Sequence, residues 1–393
     1  MNFSEIKALD ERYVLQTYGR NQLAIDHGHG ATLYDTEGRE YIDFTSGIGV
    51  TSLGYANEAW AKAIYDQAMK VGHISNLFYT EPYAKLAAKL VSGAGMSGVF
   101  FGNSGAEANE GMIKVARKYS YDKYGKGRST IITLQQSFHG RTVTTLEATG
   151  QDHYHDFFFP FTGGFRYAVA NDMESLLAVA GDDVCAVMLE LIQGEGGVNP
   201  LKKDYVQSVA ALCREKDWLL LVDEVQTGVG RTGSLFAFQQ FDIQPDVVTF
   251  AKGIAGGMPL GGFMTNEKCR SVLRAGDHGS TYGGNPMAAA AANVVVDTMT
   301  PEFLAQVKEK GEYLRKGIEA IGSPYVSGIR GMGLMIGIGM KGITHGEMKN
   351  RLMVEGLLCL TAGKDTLRLL PPLTITKEEM DKGLAIMARI MKD

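Results

Sequence analysis

Two short apolar runs, Leu219–Val222 and Val247–Phe250, limit the folds open to this chain more than any other feature. Runs this brief, aliphatic or β-branched and without polar alternation, read as strands buried on both faces. Strands of that kind belong to a parallel sheet covered by helices, which predicts an α/β fold. Asp223 follows the first run directly, and Lys252 stands just beyond the second. Open α/β sheets seat their ligands outside the carboxyl ends of the strands. An acid and a lysine delivered there are candidates for chemistry. A plain salt bridge between them is the alternative, because buried charges are usually paired.

A third apolar run, Val99–Phe101, leads into Gly102-Asn103-Ser104-Gly105-Ala106-Glu107-Ala108-Asn109-Glu110 and then a helix to about Tyr121, with Met112, Val115, Ala116 and Tyr119 on one face. Strand, glycine-bearing turn and helix start form an anion site, since free N–H groups and the helix dipole converge there. A simple Ser or Asn cap is the alternative, but a cap alone does not need two glycines. Ser129–Leu134 is a further buried strand and runs into Ser137-Phe138-His139-Gly140-Arg141-Thr142. An aromatic ring there can stack on a flat ligand, and an arginine fork takes a carboxylate bidentately. Core packing for Phe138 and a surface ion pair for Arg141 are the alternatives. Val184–Leu189 is another strand, followed by Glu190 and the glycine-rich Gly194–Gly197.

The remaining stretches read as scaffold. Residues 1–20 are polar and predicted helical; Thr32–Asp35 and Glu40–Phe44 flank Glu37-Gly38 as a hairpin or meander. Gly28-His29-Gly30 lacks the third glycine and the following helix of a dinucleotide fingerprint. Helices are predicted over Glu58–Lys70, over Glu81–Leu90 with Pro82 in the first turn, and from Pro301 to about Ile321. Gly331–Met340 reads as one glycine-interrupted strand, and Thr344 and Thr376 start capping boxes with Glu347 and Glu379. His153 and His155 lie in a loop with no acid or cysteine at ligand spacing, so no metal site is expected.

At 393 residues the chain is too long for one core, so two domains are expected. Residues 51–290 form the large one, and residues 1–50 with 291–393 the small one. A net charge of −5 gives no sign of binding nucleic acid or an anionic membrane. No apolar stretch approaches a membrane span, and the amino terminus lacks the apolar segment of a signal peptide. Four scattered cysteines suit free thiols in a reducing cytoplasm.

Val222-Asp223-Glu224-Val225-Gln226-Thr227-Gly228, with Lys252 between Ala251 and Gly253, resembles the class III (ω) aminotransferases, fold-type I enzymes that use pyridoxal 5'-phosphate. The turn at Asn103–Glu110 and the Ser137–Thr142 segment are similar to the same family, and at least six motifs occur in its order along nearly the whole chain. The resemblance implies a large mixed, mostly parallel sheet domain plus a smaller α/β domain built from both termini. It assigns Lys252 to covalent attachment of the cofactor and to proton transfer, and Asp223 to the pyridinium nitrogen. Burial and cationic neighbours favour a neutral lysine amine, and a carboxylate keeps the ring nitrogen protonated so the ring can absorb electrons.

By the same resemblance Ser104, Gly105 and Ala106 hold the phosphate, Phe138 stacks on the ring beside His139, and Gln226 meets the phenolic oxygen. Thr281 reaches the phosphate of a neighbouring subunit, which implies a homodimer with shared active sites. Arg141 binds the donor's remote α-carboxylate, Tyr18 contacts the donor, and Glu195 neutralises Arg368 until glutamate's α-carboxylate needs it. One departure is Leu191, where the family usually has proline. Within the family, Ser75–Pro82 together with the two turns is most similar to members acting on N2-acetylornithine. That implies transfer of its ω-amine to 2-oxoglutarate, giving N-acetylglutamate 5-semialdehyde and glutamate, as in arginine biosynthesis. Ornithine, succinylornithine, lysine-type, 4-aminobutyrate and diaminopimelate donors stay open, as does glutamate-1-semialdehyde aminomutase, an isomerase needing no 2-oxoglutarate.

Overall fold

Both apolar runs are strands buried at every residue, and they lie side by side in the computed structural model, which describes residues 1–392. They belong to a seven-stranded sheet. Its strands in chain order are β1 (Gly98–Gly102), β2 (Thr130–Leu134), β3 (Phe165–Ala168), β4 (Val184–Leu189), β5 (Leu219–Asp223), β6 (Val247–Phe250) and β7 (Gly261–Thr265). Across the sheet the order is β1-β7-β6-β5-β4-β2-β3. All neighbours are parallel except the two pairs made by β7, which runs against β6 and β1.

The unbroken apolarity of β5 has a direct cause. Leu219 and Leu221 enter one core with Met112, Val115 and Ala116 of the helix Gly105–Tyr124, while Leu220 and Val222 enter a second core on the opposite face. Alternate side chains leave opposite faces of a strand, so neither set is free to be polar. The helix lies close against β7 at Gly111, where a Cβ would come within 2.2 Å of the Phe263 ring.

Strands Ile25–His29, Thr32–Asp35 and Glu40–Asp43 form the expected meander. Its fourth strand, Leu357–Leu358, comes from the carboxyl-terminal part and pairs parallel with Glu40–Asp43. Both ends of the chain therefore share one sheet. A second four-stranded sheet holds Val326–Met332, Met335–Met340, Thr366–Leu369 and Leu360–Ala362.

Two expectations need correction. Gly331–Met340 is not one strand but the end of one hairpin arm, the turn and the whole second arm, with Met332 opposite Met335. Gly331 at φ +114° and Gly333 at φ +54° allow the reversal, in backbone regions that side chains disfavour. The first helix stops at Tyr13 instead of running to residue 20. Beyond it Leu15 and Tyr18 are exposed, so no apolar face stabilises further turns. Among the described residues no helix is long and apolar enough to cross a membrane.

Candidate active site

Strands β5 and β6 are parallel with Asp223 opposite Thr249, so Asp223 and the chain leading to Lys252 emerge at the same end of the sheet. Lys252 then takes φ +46° and opens a short 3-10 turn to Ala255. A non-glycine residue in that left-handed region costs on the order of 1 kcal/mol, and such outliers gather at functional sites. Asp223 and Lys252 both line a cavity of about 390 Å³, as do Ser104, Gly105, Ala106, Phe138, His139, Arg141, Glu195 and Gln226.

The two residues do not pair with each other. Among the described residues the Lys252 amine has no hydrogen bond and no ion pair, although Asp223 is fully engaged elsewhere. The Asp223 Oδ2 faces His139 Nδ1 at 2.8 Å and accepts from Asn109 Nδ2 at 2.8 Å. Its Oδ1 accepts from the Val225 N–H at 3.0 Å and the Thr249 hydroxyl at 3.4 Å. Burial alone would raise this carboxyl, but the His139 imidazole, the Val225 N–H and Asn109 together hold it below the ordinary aspartate value. Burial lowers the Lys252 pKa; Arg368 pushes the same way, and Glu195, Asp223 and Glu190 offset part of the fall. The cavity thus sets an ionised acid opposite an amine biased toward its neutral, nucleophilic form.

Ser104 caps the helix Gly105–Tyr124: its hydroxyl accepts the Glu107 N–H at 3.2 Å, and Glu107 in turn accepts the Asn103 N–H at 2.9 Å. The cap and the anion reading are compatible, because the N–H groups of Gly105 and Ala106 belong to the first turn and have no intrahelical acceptor. A Cβ on Gly105 would lie 2.8 Å from Val225, so a larger residue would displace the turn from beside Asp223. Asn103 also reaches the Ser280 hydroxyl at 3.2 Å, which ties the next loop to this turn. Thr281 in that loop is exposed and does not line the cavity. Nor does it cap the following helix, a role taken by Asn285.

Behind the cavity wall Arg368 Nη1 donates to two lining residues, Glu195 Oε1 at 2.6 Å and Gln226 Oε1 at 3.1 Å. Arg368 is buried and Glu195 half-buried. Burial raises the Glu195 carboxyl, and the Arg368 charge and hydrogen bond more than reverse it. Arg141 is exposed at the cavity rim and has no acidic partner among the described residues. Phe138 is half-buried on the wall, not sunk in a core. Tyr18 is 72 % exposed and does not line the cavity.

Sequence reasoning missed two supports of this site. Asn109 lies one helical turn after Gly105, a spacing that puts both on one helix face. Glu190 directly follows β4, the same strand-end position that singled out Asp223. It accepts the Phe138 N–H at 2.9 Å and the Gly194 N–H at 3.2 Å, fixing the aromatic wall and the start of the Glu195 loop. Burial, and secondarily Asp223, pushes its carboxyl up to about 7 against the opposing pull of His139. Leu191 is fully buried beside it.

Residues 14–391 match the family model for class III aminotransferases. An acetylornithine aminotransferase of Haemophilus ducreyi is 51% identical over 100% of both chains. Among solved structures, the ornithine aminotransferase of Toxoplasma gondii superposes with a TM-score of 0.95 at 30% identity, covering 100% of this chain and 95% of that one. The N-acetylornithine aminotransferase of Stenotrophomonas maltophilia gives a TM-score of 0.85 at 38% identity, covering 98% and 97%.

Proposed function

Because this chain belongs to the class III aminotransferases, we propose that it transfers the ω-amino group of N2-acetylornithine to 2-oxoglutarate, giving N-acetylglutamate 5-semialdehyde and glutamate. The family depends on pyridoxal phosphate, and the cavity suits it. It offers an unpaired lysine amine, a strand-end carboxylate, a helix start for a phosphate, and a His139 Nε2 that is buried with no partner of its own. When bound, the cofactor supplies an aldehyde that takes up the amine and a ring that absorbs the electrons of a breaking C–H bond.

The rest of the work falls to side chains. Lys252 would hold the cofactor between turnovers, and its Nζ would carry the proton from the amine-bearing carbon of the donor to the cofactor instead of back to the donor. Asp223, kept ionised by His139 and Asn109, holds the proton on the ring nitrogen. Ser104, Gly105 and Ala106 would hold the phosphate, Phe138 would stack on the ring, and Gln226 would contact the phenolic oxygen. Arg141 takes the donor's carboxylate and Tyr18 contacts the donor. Thr281 serves the phosphate in a second copy, so the working unit is a homodimer. Residues 51–290 are the cofactor domain, and 1–50 with 291–393 the small domain. The enzyme works in the cytoplasm, where its four free buried cysteines stay reduced.

The observation that carries this reading is the Glu195–Arg368 pair, in which Glu195 lines the same cavity as Lys252 and Arg368 lies buried behind it. A transaminase must seat two different acids in one site. An arginine covered by a movable acid serves glutamate and 2-oxoglutarate while staying neutralised for the other substrate. The decisive measurement is kcat/KM for a panel of amine donors, with and without 2-oxoglutarate. N2-acetylornithine should lead the panel, and no turnover should occur without the oxo-acid. Isomerisation of glutamate 1-semialdehyde in its absence would replace this proposal with the mutase.

A further inference from the structure

Arg141 is held in an unusual way for a cation at the edge of an active site. Its guanidinium carbon lies 4.2 Å from the centre of the Tyr154 ring and 5.5 Å from that of Phe138. The two rings meet edge to face, with centroids 5.8 Å apart. Tyr154 is half-buried at the end of the short 3-10 turn Asp152–Tyr154, and its other neighbour is the His153 ring at 4.0 Å. Neither a carboxylate nor a backbone carbonyl engages Arg141 among the described residues.

Ring faces and acids hold an arginine differently. A carboxylate spends N–H donors of an arginine, so an incoming carboxylate must compete with it, as it would with Glu195 at Arg368 Nη1. An aromatic face attracts the cation through its quadrupole and leaves the donors of the fork unspent. We propose that Tyr154 is a positioning residue that holds Arg141 at the cavity rim with its fork free, and so sets the preference for amine donors bearing a distal carboxylate. The proposal rests on the assignment of Arg141 to the donor carboxylate. Tyr154 touches no reacting atom in this scheme; it acts through Arg141.

The test compares two donors in the holoenzyme: N2-acetylornithine and N-acetyl-1,4-diaminobutane, which differs only in lacking the carboxylate. The quantity read is the ratio of their kcat/KM values. Tyr154→Ala should lower that ratio roughly fivefold, the size expected for losing one partly exposed cation–π contact. The loss should fall mainly in KM for acetylornithine. Tyr154→Phe should restore the ratio, because the ring face remains. Tyr154→Leu gives the same reading if the alanine protein does not fold, and visible cofactor absorbance verifies loading in each.

An unchanged ratio in Tyr154→Ala or Tyr154→Leu, or an equal loss for both donors, would overturn the proposal and leave Tyr154 a structural residue. Arg141→Ala separates the two levels. If it collapses the ratio while the Tyr154 variants do not, only the clamp is wrong. If it leaves the ratio intact, the assignment of Arg141 is wrong and the clamp falls with it.

Discussion

The Glu195 carboxylate and the Arg368 guanidinium meet at 2.6 Å although 173 residues separate them. Gln226 accepts a second bond from the same Arg368 nitrogen at 3.1 Å, so the arginine is neutralised and oriented before any substrate arrives. Arg141, in contrast, rests on aromatic faces with its fork unspent. Arg141 on the cavity rim is therefore left without an acid, whereas Arg368 behind the wall is already bonded to one.

Glu195→Ala removes the acid from Arg368 and leaves it only the neutral Gln226. Glutamate should gain and the ω-amine donor should lose, shifting the ratio of their kcat/KM values by about tenfold, which corresponds to ~1.4 kcal/mol. Half-reaction rates with each donor measure this directly. A ratio equal to wild type would show that the pair has no part in discrimination.

The same pair carries a pH signature. Burial raises the Glu195 carboxyl, but Arg368 brings it below the ordinary 4.5. A carboxyl whose folded pKa lies below its unfolded one stabilises the fold in full above the unfolded value, and the contribution disappears as pH falls through the folded one. The gap in melting temperature between wild type and Glu195→Gln should therefore be largest near neutrality and shrink below pH 4.5. A gap that widens in acid would contradict the assignment.

His139→Ala removes a charge-assisted partner from Asp223 and leaves Asn109, Val225 and Thr249. Such a bond is worth about 1.5–3 kcal/mol, so the affinity for pyridoxal phosphate should fall at least tenfold. Titration of apoenzyme with the cofactor, followed by visible absorbance, gives the dissociation constant. Asn109→Ala should show a smaller loss, since it contributes less than His139 to holding the Asp223 carboxyl down. Unaltered affinity in His139→Ala would mean that Asp223 needs no support from it.

Glu224, next to Asp223, is buried and accepts the Ala237 N–H at 2.8 Å, the Phe238 N–H at 2.7 Å and the Thr227 hydroxyl at 2.9 Å. Glu224→Ala strands these three donors and should destabilise the fold by about 3 kcal/mol. Urea unfolding measures this. A loss under ~1 kcal/mol would mean that water replaces the carboxylate.

The amino-acid order alone determined the sheet-forming runs, the turn from β1 into its helix, and the delivery of Asp223 and Lys252 by two buried strands. These are local matters: a strand buried on both faces must be apolar at each position, and a polar residue just beyond it marks where the strand leaves the core. The order of the strands in the sheet was not local, and neither were the contacts it created. The tertiary structure alone brought His139 to Asp223 across 84 residues, set Glu190 beneath the Phe138 backbone, and laid Tyr154 on Arg141. It also split Gly331–Met340 between the two arms of a hairpin, where glycine permits a reversal but does not require one. Hydrogen bonds and ring contacts act over a few ångströms, so their partners are settled only when distant segments have packed together.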